Sequence, residues 1–260
     1  MMTDKAKRMP ALFVGHGSPM NAIEDNTYTK GWEELARKFP KPEAVLAISA
    51  HWYTKGSRIN DAVNPETIYD MYGFPEELYQ VTYHAPGAPE LAHLTKKLIS
   101  RDVQIDNSWG IDHGTWSVLH KMYPAADIPV YQLSVDRNAS AESHFQIGQE
   151  IRALREQGVL LLGSGNIVHN LSRISWGMAG GYPWADEFDH YIKEKISARQ
   201  YQEVIQHQSA GVSADLAFVT PEHFYPLLYV LGASTPADKL TVVNDYRTLG
   251  SISMTCYLFT

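Results

Sequence analysis

Short, strongly apolar runs separated by helical patterns limit the folds open to this sequence. The run at residues 45–49 (VLAIS) is too short for a helix and is typical of a strand buried on both faces. This run belongs to a predicted strand at 44–50. Similar runs lie at residues 11–15, 129–135 and 159–163, and a last strand is expected at 251–259. Helical patterns lie at about 28–39, 89–99, 115–123, 140–156, 185–206 and 221–231. This alternation predicts a three-layer α/β/α fold around a mostly parallel or mixed central sheet.

Length and composition are those of an ordinary globular protein. The chain has 260 residues, 44% hydrophobic and 20% charged, without an internal repeat, low-complexity segment or long linker. We therefore expect a single domain over residues 1–260. The basic start, residues 1–8 with Lys5, Lys7 and Arg8, is expected to be disordered.

Charge and cysteine content exclude several classes of protein. A net charge of −7 gives no reason to expect nucleic-acid binding. The sequence has no apolar run of 18 residues, so we expect neither a membrane span nor a membrane partner. The single cysteine, Cys256, cannot form an intramolecular disulfide and suits the reducing cytoplasm. Its place in the last apolar run favours a buried small side chain over a nucleophile.

Residues 61–89 form a long segment without a regular pattern. It is rich in turn-forming and aromatic residues, which include Tyr69, Tyr72, Phe74, Tyr79 and Tyr83. Long aromatic loops of this kind commonly cover a binding site. We predict a lid or pocket wall here, with Trp52 as a further wall residue.

Five histidines follow apolar runs or lie on turns rich in glycine and proline. They are His16, His51, His113, His169 and His223. Ligands bind at the carboxyl ends of the strands in α/β folds, so histidines placed there can converge. Several histidines without partner cysteines are typical of a mononuclear metal centre, although spacing alone does not choose the metal.

Other interpretations of the same residues stay open. The turn before His169 (GSGN) could cradle an anion, but a serine nucleophile at Ser164 is disfavoured because the G-x-S-x-G pattern is not met. Asp112 would raise the pKa of His113 if the two side chains met. The remaining six histidines lie in polar helical patterns and are expected at the surface: His84, His93, His120, His144, His190 and His207.

Five segments together resemble one family. They are GHGSPMN at 15–21, SAHW at 49–52, WGIDHGTW at 109–116, SGNIVHN at 164–170 and TPEHFYPL at 220–227. In this order they resemble the class III extradiol ring-cleaving dioxygenases, in the branch that acts on DOPA. The resemblance covers residues 9 to about 231 and implies a single catalytic domain.

The resemblance implies a role for each of these histidines. His16, His51 and His223 match metal ligands, while His169 matches a histidine at the metal that either ligates it or acts as a base. His113 matches a pocket histidine that steers substrate and proton transfer. The wider class uses a carboxylate as third ligand, so Glu222 competes with His223. Consecutive helical residues point about 100° apart, so only one of these two side chains should face the metal. The DOPA branch carries the histidine at this position, and His223 is therefore the expected ligand.

The implied reaction is extradiol cleavage of a catechol by O2, with L-DOPA cut to 4,5-seco-DOPA as the expected case. Fe(II) is expected for turnover, and Zn(II) is plausible as the bound ion. Two alternatives remain: a zinc hydrolase or amidase that uses a metal-bound hydroxide, and a non-catalytic metal-binding module. The resemblance is compatible with a monomer or a small homo-oligomer.

Overall fold

A computed structural model describes residues 8–260. The strands are β1 (Ala11–Gly15), β2 (Ala44–Ser49), β3 (Tyr53–Thr54), β4 (Ser57–Ile59), β5 (Val103–Ile105), β6 (Val130–Gln132), β7 (Val135–Asp136), β8 (Val159–Gly165), β9 (Leu240–Val243), β10 (Arg247–Thr248), β11 (Ile252–Ser253) and β12 (Cys256–Phe259). The α-helices are α1 (Thr27–Ala36), α2 (Glu76–Tyr79), α3 (Pro89–Leu98), α4 (His113–Met122), α5 (Ala141–Ile151), α6 (Pro183–Ser197), α7 (Tyr201–Ile205), α8 (Val212–Ala217) and α9 (Tyr225–Ala233). Turns of 3-10 helix lie at Pro19–Ala22, Arg152–Gln157, Leu171–Arg173, His207–Ala210 and Pro221–His223.

The central sheet is mixed and has the strand order β6-β2-β8-β1-β12-β9. The first four strands in that order are parallel, β12 runs antiparallel to β1, and β9 runs antiparallel to β12. Helices cover both faces, which confirms the predicted three-layer α/β/α fold. Three pairs of short strands, β3–β7, β4–β5 and β10–β11, lie outside this sheet.

Alternate residues of the central strands pack into opposite layers. In β1, Ala11 and Phe13 join the cluster that includes α5 and α9, whereas Leu12 and Val14 join the cluster that includes α1 and α4. Successive side chains of a strand point to opposite faces, so a continuous apolar run supplies both layers.

Several sequence-based boundaries change in the structure. The strand expected at 251–259 is two strands, β11 and β12, which pair with different neighbours. The helix expected near 185–206 is interrupted after α6, where Arg199 takes a φ of 58° in the left-handed region. The sequence pattern does not indicate the edge strand β9, because this strand has only four residues and is half-buried.

The structure tests part of the prediction of a disordered start and the prediction that Cys256 is buried. Lys5 and Lys7 lie outside the described residues. Arg8, expected in a disordered start, forms ion pairs with Glu156 and with the buried Asp238. Cys256 is fully buried in β12, as predicted. Within residues 8–260, no helix combines the length and apolar character needed to cross a membrane.

Candidate metal centre

The carboxyl ends of three neighbouring strands lie level with one another at one edge of the sheet. β8 lies between β1 and β2, and its last two residues are paired with Gly15 of β1 and Ser49 of β2. His16 follows β1 directly, and His51 lies two residues beyond the end of β2. This register brings the two histidines together at the edge where the sequence predicted a ligand site.

His223 approaches the same edge from the 3-10 turn that precedes α9. The backbone N–H of Asn166 donates to the carbonyl oxygen of His223 over 2.9 Å. A Cβ on Gly165 would lie 2.0 Å from that carbonyl oxygen. Glycine at the end of β8 therefore allows the turn to approach the strand this closely. The helix expected over 221–231 is consequently a 3-10 turn followed by α9.

The rings of His16, His51, His223 and His113 form one cluster. The Nε2 atoms of His16 and His51 are 3.1 Å apart. The ring centroid of His223 is 5.3 Å from that of His16 and 5.0 Å from that of His51. The ring of His113 lies 3.8 Å from the ring of His51, centroid to centroid.

His169 completes the set of five predicted histidines. Its backbone N–H donates to the carbonyl of Ala217, and it forms isolated β-bridges with Phe218 and with Ile252. Its ring lies parallel to the ring of His223, with centroids 3.5 Å apart and an angle of 7° between the planes. The structure thus brings all five predicted histidines into one site.

A serine defines which nitrogen of His16 carries the proton. Ser164 Oγ donates its hydrogen to the carbonyl oxygen of Gly114 over 2.5 Å. The hydroxyl can then only accept from Nδ1 of His16, which lies 3.0 Å away. The Nε2 atom of a neutral His16 is therefore left with its lone pair, the form that binds a metal.

Carboxylates lie at Nδ1 of the two other candidate ligands. Asp70 Oδ2 is 3.0 Å from Nδ1 of His51, and Glu222 Oε1 is 3.3 Å from Nδ1 of His223. Among the described residues, the buried Nε2 of His223 has no hydrogen-bond partner. Each of the three histidines thus has a polar partner at Nδ1 and a free or histidine-facing Nε2.

Asp70, rather than Asp112, is the carboxylate partner of His113. Asp70 Oδ1 accepts from the backbone N–H and Nδ1 of His113 over 3.0 and 2.9 Å. Asp112 caps α4 and accepts from the side chains of Ser49, Trp109 and Gln132. The contact between Asp112 and His113 that the sequence left open is not made, because the Asp112 carboxylate faces these other partners and Asp70 contacts His113 instead. The sequence pattern does not indicate this role for Asp70, because Asp70 lies in a segment without periodicity.

Burial keeps most of these imidazoles neutral. It lowers the pKa of His16 and of His223 well below the usual value, and the neighbouring histidines lower both further. Burial also lowers the pKa of His169 to about 3. At His51 burial acts in the same direction, but Asp70, Asp112 and Glu222 outweigh it and raise the pKa. Neutral imidazole is the form that metals bind.

The donor set fits a divalent metal. His16, His51 and His113 each offer a nitrogen within 4.8 Å of the others, and His169, Glu222 and His223 form a second such group. Two nitrogen ligands about 2.0–2.1 Å from one metal are about 2.8–3.4 Å apart at angles from octahedral to tetrahedral. The 3.1 Å between Nε2 of His16 and of His51 lies in this range. The unpartnered Nε2 of His223 is a third available donor.

The segment at residues 61–89 reaches the histidine cluster, but not as a uniform aromatic wall. Asp70 contacts His51 and His113, whereas Tyr83 is buried in the core and donates to the carbonyl of Tyr123. Tyr72 is 92% exposed. Trp52, expected to line the pocket, is buried.

Two of the six histidines expected at the surface are in the interior. His144 is fully buried, and its Nδ1 lies 2.9 Å from the hydroxyl oxygen of Tyr229. His207 is buried among aromatic rings. The surface prediction is wrong for both, because their helical patterns pack under other elements.

The fold and this histidine cluster define the chain as a member of one enzyme family. It belongs to the family of the catalytic LigB subunit of aromatic ring-opening dioxygenases, whose pattern matches residues 10–260. Enzymes of this family use a metal and open an aromatic ring with O2. Membership confirms the resemblance and disfavours both the hydrolase and the non-catalytic alternative.

Similar proteins carry the name "4,5-DOPA dioxygenase extradiol". One from Escherichia coli K12 is 45% identical over 256 residues, covering 95% of this chain and 93% of the relative. One from Beta vulgaris is 38% identical, covering 96% of each chain. A crystal structure of an uncharacterized E. coli K12 protein superposes with a TM-score of 0.85 at 40% identity, covering 97% of this chain and all of the other.

Proposed function

We propose that His16, His51 and His223 hold the metal through their Nε2 atoms, and that Fe(II) is the working ion. The observation that carries this assignment is the polar partner at each Nδ1: Ser164, Asp70 and Glu222. His113 also has such a partner, and it is assigned to the substrate because the resemblance matches it to a pocket histidine. Such partners orient a ligating imidazole and set its tautomer. Zn(II) accepts the same nitrogen donors, so we expect zinc in some purified preparations.

His169 and His113 are proposed to handle protons, with His169 as a base rather than a fourth ligand. The lone pair of an imidazole nitrogen lies in the plane of its ring. Two parallel rings 3.5 Å apart therefore cannot both direct a lone pair at one ion. Nδ1 of His113 donates to Asp70, so its Nε2 is free to accept a proton from a substrate hydroxyl.

Bound Fe(II) would supply the redox chemistry for the reaction with O2, which Zn(II) cannot supply because it has no accessible redox change. The protein's own residues would bind the catechol and take up protons from its two hydroxyls. A histidine that is neutral before the substrate binds has a nitrogen lone pair that can accept such a proton.

The substrate is proposed to be L-DOPA or a close analogue, cut between carbons 4 and 5. The support is the name shared by the similar proteins from E. coli and from plants. Both oxygen atoms of O2 would enter the product, a yellow muconic semialdehyde. We further propose a single catalytic domain that works in the cytoplasm as a monomer or small homo-oligomer; the unpaired Cys256 suits a reducing compartment.

The test is anaerobic loading with Fe(II), followed by O2 uptake with L-DOPA and with catechols that lack the amino-acid tail. We expect one O2 consumed per L-DOPA, together with the yellow product. Protein loaded with Zn(II) is the control and should consume no O2. Equal turnover by the zinc and iron forms would contradict the proposal, and faster turnover of a tail-less catechol would overturn the choice of L-DOPA.

A further inference from the structure

One carboxylate joins two histidines with different proposed roles. Asp70 Oδ2 lies 3.0 Å from Nδ1 of His51. Asp70 Oδ1 lies 2.9 Å from Nδ1 of His113 and 3.0 Å from its backbone nitrogen. The three side chains are largely buried, and the two imidazole rings lie 3.8 Å apart, centroid to centroid. Both oxygens of Asp70 are thus engaged at the centre of the site.

The direction of these hydrogen bonds follows from the backbone. The N–H of His113 can only donate, so Asp70 Oδ1 is an acceptor. A carboxylate that accepts on both oxygens requires a proton on Nδ1 of His51 and on Nδ1 of His113. Nε2 of a neutral His113 then carries a lone pair. Nε2 of His51, which faces Nε2 of His16, is likewise the nitrogen left for an external partner.

We propose that Asp70 is a positioning residue that presents Nε2 of His51 to the metal and Nε2 of His113 to the substrate from one carboxylate. This inference rests on the proposed function, in which His51 is a ligand and His113 handles a proton. It adds a residue from outside the histidine motifs, and it gives the segment at 61–89 a direct part in the site.

The backbone around Asp70 is held against the helix that carries His113. The N–H of Ile68 donates to the carbonyl of Ile111 over 2.8 Å, and the N–H of Ile111 donates to the carbonyl of Glu66 over 2.7 Å. The indole N–H of Trp116 in α4 donates to the carbonyl of Ile68 over 2.9 Å. Asp70 is therefore delivered to the site by a braced segment rather than by a free loop.

The substitution Asp70→Asn separates the two roles. The backbone N–H of His113 needs an acceptor, so the amide oxygen should stay on the side of His113. The amide NH2 then faces Nδ1 of His51, and two donors oppose each other there. The favourable response is a tautomer of His51 with its proton on Nε2, which removes the lone pair that a metal needs.

We therefore expect Asp70→Asn to weaken zinc binding, measured by competition with a chelator, by about 10–100-fold. Asp70→Glu retains two acceptor oxygens and should recover part of this affinity. The matched control is Asp61→Asn in the same segment, where the carboxylate pairs with the exposed His93 at 3.0 Å. This control should bind zinc as the parent does. Parental affinity in Asp70→Asn, or an equal loss in Asp61→Asn, would overturn the proposal.

A measurement on the unaltered protein removes any dependence on how the variants fold. Long-range ¹H–¹⁵N correlation spectra of the imidazoles should show a proton on Nδ1 of both His51 and His113, with and without zinc. A bare Nδ1 on either residue would refute the role of Asp70. Failure of the parent to take up O2 with catechols would instead refute the proposed function, and would leave the tautomer result standing.

Discussion

The ring of His169 lies flat on the ring of His223, with centroids 3.5 Å apart and planes 7° from parallel. In this arrangement the in-plane lone pairs of the two rings run side by side and do not converge on one point. A single metal can accept one of them in good geometry. His223 has a polar partner at Nδ1 and a buried, unpartnered Nε2 within the described chain, so it is the better ligand of the two.

This stacking predicts different outcomes for the histidine variants. His223→Ala should lose the metal, because it removes a proposed ligand. His169→Ala and His113→Ala should each retain about one metal per chain and lose turnover by about 10²–10⁴-fold, the usual effect of removing a general acid or base. Metal content and O2 uptake check this together. A full metal equivalent in His223→Ala, or metal loss in His169→Ala, would reverse the assignment.

Ser164 should tune the affinity for the metal through His16. In Ser164→Ala the Nδ1 of His16 loses its acceptor, and the tautomer with a proton on Nε2 becomes competitive. We expect metal binding to weaken by roughly 10-fold. Ser117→Ala is the control, because the Ser117 hydroxyl is buried without a hydrogen-bond partner among residues 8–260. Chelator titrations that show equal affinity in both variants would exclude this role of Ser164.

Gly165 should tolerate no side chain. A Cβ there would lie 2.0 Å from the carbonyl oxygen of His223, so Gly165→Ala must displace the turn that carries a proposed ligand. We expect a loss of stability of about 1–3 kcal/mol or more, as for other overpacked sites, together with weaker metal binding. Gly180→Ala is the control, because a Cβ there meets no atom within 4 Å. Denaturant unfolding should give a clear difference between the two variants.

His144 should make the protein less stable in acid. Burial lowers its pKa from 6.5 to about 4, so the unfolded chain binds the proton more readily. Stability should therefore fall as the pH drops below about 6.5, and this contribution should level off below about 4. Its size is about 3 kcal/mol at 1.36 kcal/mol per pKa unit.

The variant His144→Gln should show a correspondingly smaller fall in unfolding free energy between pH 6.5 and 4. His190→Gln, at an exposed position, is the control and should follow the parent. Parallel pH profiles for the parent and His144→Gln would argue against the buried, neutral state of His144. The slope is the readout, because loss of the contact with Tyr229 lowers stability at every pH.

Features that depend on neighbouring residues were predictable from the sequence. Apolar runs without helical periodicity indicated β1, β2 and β8, and a histidine just beyond such a run lies at the edge of the sheet because the chain leaves the sheet there. The convergence of His16 and His51 follows from this local rule and from parallel pairing. The role of His169 as ligand or base does not follow from this rule, because it depends on how its ring packs against the ring of His223.

Tertiary packing alone decided the partners of the histidines. Asp70 reaches His113 across 43 positions of sequence, from a segment with no periodicity to indicate its course. Asp112, adjacent in sequence, points away because it caps α4. His144 is buried because α5 packs against α9, a helix about 80 residues further along the chain. Local sequence determines where the chain enters the site, whereas side-chain pairing and burial depend on which distant surfaces close around it.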